Sequence, residues 1–189
     1  MCSIDDFLAA NPRTMQLGPF DEQVIADLSN HQVPPDIIEF LQREGIATYR
    51  DDFFCTTVPQ DYFETLSEWG LKGNECCTFM KTAFGSLCFS LKGKIFQLDP
   101  ISGYLYKGRF DFCKFMNLLV PMDSFMEGCY FGNYQKIGKR QPLAPDELYG
   151  LVPVLPLGGS LETSKLEVMK AREHLSILAQ LFDNKARKL

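Results

Sequence analysis

The chain has 189 residues, 46% of them hydrophobic and 23% charged, with a formal net charge of −5. That length and balance suit one domain, or two small ones packed closely, and leave no low-complexity tract to explain. They exclude a membrane span, since no run approaches roughly 18 uninterrupted apolar residues, and they disfavour nonspecific nucleic-acid binding, which needs a positive surface.

The first residues, MCSIDDFLAANPR, are acidic and lack the apolar core of a secretion signal, so a cytoplasmic location is expected. A short amphipathic helix near Ile4 to Ala10 stops at Asn11-Pro12. A second, Asp21 to Ser29, carries Val24, Ile25 and Leu28 on one face. The third starts at Pro34-Pro35, places Ile37, Ile38 and Leu41 on one side and ends before Gly45. The three form one packed helical layer, with His31 in the loop between the last two.

Beyond Gly45, Ala47 to Val58 is aromatic and β-rich around a turn at Arg50-Asp51-Asp52, and Pro59 opens a helix through Tyr62, Phe63, Leu66 and Trp69. Gly70 to Asn74 marks a boundary, giving units 1–72 and 73–189 that pack together. Short strands follow at Cys76 to Met80, Leu87 to Leu91, Ile95 to Leu98 and Tyr104 to Tyr106. Turns at Phe84-Gly85, Lys92-Gly93 and Asp99 to Gly103 join them as an antiparallel meander. Helices are expected at Phe110 to Leu119, Asp123 to Tyr130 and Ala171 to Phe182, with a strand around Leu166 to Val168. The fold class is α+β, a meander covered by helices.

Between them lies QPLAPDELYGLVPVLPLGG, residues 141–159. Pro145, Pro153 and Pro156 fix their own φ and keep the preceding residues out of helix, so the run is extended but not a central strand throughout. It reads as a rigid, buried connector, with Gly158 and Gly159 reversing the chain.

No chemical centre assembles from the motifs. Seven cysteines at irregular spacing describe no disulfide framework; Cys2, Cys55, Cys76, Cys77, Cys88, Cys113 and Cys129 are expected to be reduced and mostly buried. Cys76-Cys77 lacks zinc-site spacing, and with two histidines no metal or cofactor is expected. No nucleophile elbow, metalloprotease helix or phosphate loop occurs. The acids, among them Asp61, Glu64, Glu68, Asp111, Asp123 and Glu127, read as turn and helix-start residues. Lys136 to Arg140, with Tyr134 nearby, reads as a solvated basic loop, and Lys185 to Lys188 as a charge complement to the last helix's C-terminus.

The 141–159 segment, followed by LEVMKAREHLSILAQLF, resembles the C-terminal domain of a bacterial family of type VI secretion immunity proteins, with its "GPLxPDExYGFVPALxLGG" and "EHLxILAQL". Leu143, Pro145, Asp146, Glu147, Tyr149, Gly150, Val152, Pro153, Leu155, Leu157, Gly158 and Gly159 match, as does Glu173 to Leu181 apart from Ser176. Gln141, Leu151, Val154 and Pro156 depart from it. Thr82-Ala83-Phe84-Gly85 is similar to the family's "TAFGDLxFW". Gly18-Pro19, Val33 to Leu41 and Gly45 look like the GAD-like domain in front of it.

The resemblance implies a non-enzymatic protein that binds and neutralises a cognate secreted effector. The first candidate is a DNase of the toxin-15 class with an HxxD motif. An acidic chain suits the positive cleft of a nuclease, and Tyr49, Asp51 and Asp52, then Asp146 and Glu147, are the expected contacts. The rival readings are a housekeeping protein-binding module of the SMI1/KNR4 type, from Pro34 to Leu41 with Gly45, and a cysteine hydrolase pairing one thiol with His174.

Overall fold

The computed structural model describes residues 3–30 and 33–188, so Cys2 and His31 lie outside the described residues. The N-terminal helices form where the apolar spacing places them: α1 (Asp5–Ala10), α2 (Glu22–Asn30) and α3 (Pro35–Glu44). In α3, Pro35 occupies the first turn, where its missing N–H goes unused, and Ile37, Phe40 and Leu41 form the buried stripe.

Between α1 and α2 lies a strand that the sequence reading lacked, β1 (Arg13–Gly18). It pairs antiparallel with β2 (Ile46–Tyr49), which pairs with β3 (Phe54–Thr56). A 3-10 turn at Pro59–Tyr62 then leads into α4 (Phe63–Glu68). The meander follows as β4 (Cys76–Thr82), β5 (Leu87–Leu91), β6 (Lys94–Asp99) and β7 (Tyr104–Lys107).

These strands make one sheet, which is eight-stranded with the C-terminal β10 (Arg187–Lys188) added parallel to β7. It crosses the expected boundary near residue 72, since Phe54, Cys55 and Thr56 of β3 pair with Thr82, Lys81 and Met80 of β4. The basic tail therefore extends a sheet rather than complementing a helix end. Asp183 and Asn184, both at positive φ, turn it away after α8 (Ala171–Leu181).

Side chains alternate across the sheet. Cys77, Cys88 and Ile95 enter a core with the N-terminal helices, while Cys76, Leu87, Phe89 and Leu98 enter a second core with α4 and α8. A register shift between Thr78 and Met80 breaks the alternation and turns both Phe79 and Met80 into the first core. Burial on both faces explains why β4 has no exposed residue.

After β7 the expected helix from Phe110 is shorter and wider. A turn of α5 (Phe112–Lys114), capped by the Asp111 carboxylate, runs into a π-helical turn, Phe115–Leu119, closed by the Val120 N–H on the Phe115 carbonyl at 3.0 Å. Next come α6 (Asp123–Gly128) and α7 (Phe131–Gln135), the latter absent from the sequence reading. A ribbon of β8 (Glu147–Leu151) and β9 (Leu166–Lys170) precedes α8.

The 141–159 segment is only partly the buried connector expected. β8 bridges the two cores, with Leu148 in the second and Tyr149 and Leu151 in the first. Past the cis Val152–Pro153 peptide the chain emerges, and Val152, Pro153, Pro156 and Leu157 are exposed. Ribbon pairing ends at Leu151, and a 3-10 turn at Leu155–Leu157 with Gly158 in the left-handed region takes over.

Candidate functional site

The β2–β3 turn has the most unusual backbone among the described residues. Arg50, Asp51 and Asp52 have φ of 53, 55 and 68°, three successive non-glycine residues in the left-handed region. That conformation costs on the order of 1 kcal/mol per L-residue, less for Asp, and persists only where surroundings enforce it.

They do so here from several elements. The Arg50 N–H donates to the Pro12 carbonyl at 2.9 Å, and the Asp52 N–H to the Thr14 hydroxyl at 3.2 Å, so β1 buttresses the turn. The Arg50 guanidinium donates to the Ala10 carbonyl (3.1 Å) and Asn11 Oδ1 (3.2 Å) while lying 4.4 Å over the Phe131 ring. Thr48 donates its hydroxyl to Asp52 Oδ1 at 2.6 Å. From α7, the Tyr134 hydroxyl donates to the Asp51 carbonyl. Asp51 is left exposed on this rigid support, with Asp52 half-buried beside it.

The surrounding charge is mixed. Arg140 lies 4.7 Å over the Tyr134 ring. Burial pushes the Tyr134 hydroxyl up to about 12, and Arg140 and Asp52 act on it with opposite sign. The phenol is therefore a permanent donor at neutral pH. Lys136, Lys139 and Arg140, expected as a solvated loop, are all exposed.

Tyr49 needs correcting. It is fully buried, its ring 5.3 Å from Phe7, and its hydroxyl donates to Glu44 Oε2 at 2.7 Å. Ala47 and Tyr49 share the strand face that points inward, so Tyr49 presents nothing to a partner. Burial pushes the Glu44 carboxyl up, but Tyr49, Arg13 and Arg43 outweigh it and hold the group below its usual value. This network pins the end of α3 to β1 and β2.

Asp146 and Glu147 stand apart from the turn. Asp146 borders a small cavity of about 170 Å3 with Ile46, Thr56 and Tyr62, at the other end of the β2–β3 hairpin from Asp51. Both acids face Lys170, whose Nζ lies 2.8 Å from Asp146 Oδ2 and 3.3 Å from Glu147 Oε1. Glu147 also accepts from the Ala144 N–H at 2.9 Å, and its carbonyl takes the buried Lys81 ammonium at 2.6 Å. An exposed pair of this kind adds little stability, but it offsets the acidity the segment shows as sequence. The two acidic pairs do not form one patch.

The signature residues pack rather than react. Gly150 lets α8 close on β8: a Cβ there would lie 3.0 Å from His174 Cε1 and 2.6 Å from Met169 Sδ. Gly85, at φ 83°, sits against Leu148 and Leu175 in the same way. His174 is buried, and that burial lowers its pKa.

The thiols are not poised as nucleophiles. Cys55, Cys76, Cys77, Cys88 and Cys129 are free and buried, and burial pushes Cys76 and Cys77 up to about 12. Cys113 is disulfide-bonded, contrary to the all-reduced expectation. Among the described residues no group of three His, Cys, Asp or Glu is placed to hold a metal ion, and no helix is long and apolar enough to cross a membrane.

Arg50, Phe131, Tyr134 and Arg140, which hold the turn, were not singled out as site residues from sequence. Their roles depend on contacts as distant as 83 residues along the chain, from Tyr134 to Asp51.

Fold and surface together describe an α+β chain with a stiffened acidic turn. Residues 114–182 match the family described as T6SS immunity protein Tdi1, C-terminal. The architecture is similar to the crystal structure of Atu4351 from Agrobacterium tumefaciens, with a TM-score of 0.75 over 94% of this chain and 89% of that one. At 16% identity the likeness carries the fold alone. No curated protein matches.

Proposed function

We propose that the chain neutralises a cognate type VI effector by binding it, that the effector is a nuclease, first of all a DNase, and that inhibition comes from covering its cleft or holding it inactive. The observation that carries this reading is the match over 114–182, because the matched residues include Tyr134, which holds the Asp51 turn from below. A turn kept in a costly backbone conformation by contacts from α1, β1, β2 and α7 is a preorganised contact, with little ordering entropy left to lose on binding. Asp51 and Asp52 supply carboxylates to a basic partner, and the net charge of −5 favours its approach. Asp146 and Glu147 take part only if the partner displaces Lys170. The GAD-like assignment of residues 1–72 and a cytoplasmic location belong to the same proposal.

Co-expression with the product of the adjacent gene tests it. The reading expects that product to arrest growth and damage DNA when produced alone, and this chain to restore growth through a stable complex. A harmless neighbour, or a toxic one this chain neither binds nor silences, would favour a housekeeping binding module instead.

A further inference from the structure

At the other end of the α6–α7 corner from the Asp51 turn, a half-open groove of about 390 Å3 lies between the end of the β6–β7 hairpin and α6. Its floor is Phe115, Leu119 and Phe125. Phe115 and Leu119 begin and end the π-helical turn, and a widened turn of this kind is a frequent mark of functional sites. Tyr106 and Phe110 form one wall and are each 39% exposed, while Leu118 and Met122, from the same segment as the floor, are 53% and 51% exposed.

Two observations indicate what would occupy it. Lys107 and Arg109 stand at the mouth, and neither enters an ion pair among the described residues. In a chain of net charge −5 this is a local positive rim over an apolar floor. Leu118, next in sequence to the floor residue Leu119, and Met122 are exposed but do not line the cavity, so a small molecule held in the groove would leave them uncovered. A protein surface covers both, because interfaces centre on a large side chain seated in a pocket and surround it with further apolar contact.

We propose that this groove is the apolar anchor site of the effector interface, receiving an aromatic or leucine-sized side chain from an effector segment that carries a carboxylate beside it for Lys107 and Arg109. The inference rests on the immunity reading and deepens it. A partner seated on the Asp51 turn reaches the groove along one corner, since only Cys129 and Tyr130 lie between α6 and α7. The two sites then recognise different features of the effector, a basic surface at the turn and an apolar, acid-flanked segment at the groove.

The test uses the full chain and, as probe, the adjacent gene's product silenced at its catalytic residues. Gly128 lines the groove, and a Cβ there meets nothing within 4 Å, so Gly128→Leu adds an apolar side chain at the groove without a clash at its Cβ. Gly128→Leu is expected to weaken binding at least tenfold and Arg109→Glu about tenfold, while Ile177→Ser, which removes an apolar side chain 53% exposed on α8, changes nothing. Melting temperatures are measured alongside. If Gly128→Leu melts lower than the parent, Ser124→Trp, on the open side of the groove, replaces it.

If the parent binds and both groove variants bind equally well, the anchor proposal falls and the immunity reading stands. If the parent does not bind, both fall. Capture of 1-anilinonaphthalene-8-sulfonate by the parent, lost in Gly128→Leu with effector affinity unchanged, makes the groove a small-molecule site and also overturns the proposal.

Discussion

The Tyr134 hydroxyl donates its hydrogen bond to the backbone carbonyl of Asp51, joining a five-residue helix of the C-terminal half to the tip of an N-terminal hairpin. Burial holds that hydroxyl protonated at neutral pH, so the bond persists. The residue that supports the exposed acid therefore belongs to the segment matching the immunity family, while the acid does not.

Tyr134→Phe removes the bond and keeps the ring that packs on Phe53, 5.2 Å away. The expected loss of stability is about 1 kcal/mol, typical of one neutral hydrogen bond. Effector affinity is expected to fall several-fold because the turn loosens. Denaturant melts and a binding titration on one preparation separate the two effects, and unchanged affinity would mean that the turn is no contact.

Asp51→Gly is expected to shift stability the other way. At φ 55° glycine relieves the left-handed strain, and the only hydrogen bond described for Asp51 that another residue donates is to its carbonyl, which glycine keeps. Stability should rise by up to about 1 kcal/mol, a gain of roughly 2–4 °C in Tm for a chain of this size, while effector affinity falls with the lost carboxylate. A lower Tm would show that the turn is not strained.

Gly150→Ala should destabilise by roughly 1–3 kcal/mol, since the new methyl group pushes the His174 ring and Met169 apart in a packed core. His174→Ala makes room for it. Thermal melts of both single variants and the double variant should show the pair costing less than the sum of the singles; simple addition would place the clash elsewhere.

His174 also predicts a pH dependence. Burial lowers its folded pKa below the ordinary value of about 6.5, so the unfolded chain takes up the proton first as the solution is acidified. The neutral-imidazole contribution is complete above about pH 6.5 and is lost as pH falls toward the depressed folded pKa. The parent's Tm should decline more steeply than that of His174→Gln between pH 7.5 and 5.5, and equal slopes would contradict the assignment.

What sequence reading recovered follows from where apolar periodicity is visible. The α3 stripe of Ile37 and Leu41, its Pro34-Pro35 start and the turns of the β4–β7 meander each carry local signals that agree with the final packing. β1 carries none, because Arg13–Gly18 is an edge strand with almost no buried face and its Met15 and Leu17 point outward. α7 was hidden for another reason: it is short, contains Gly132 and starts from Tyr130 at φ 65°, so long-range packing rather than propensity makes it. Asp51 and Asp52 were legible as a turn. The burial of Tyr49 and the Lys170 partner of Asp146 were not, since both depend on which face of a distant element arrives there.

The most direct test of the account is the affinity of the full chain for the silenced product of the adjacent gene, compared with that of an Asp51→Lys/Asp52→Lys double variant. A one-to-one complex is expected, its affinity dropping at least about tenfold in the double variant, with a slower association rate that is most evident at low salt. No complex at all, or a double variant that binds as tightly and as fast as the parent, would contradict it.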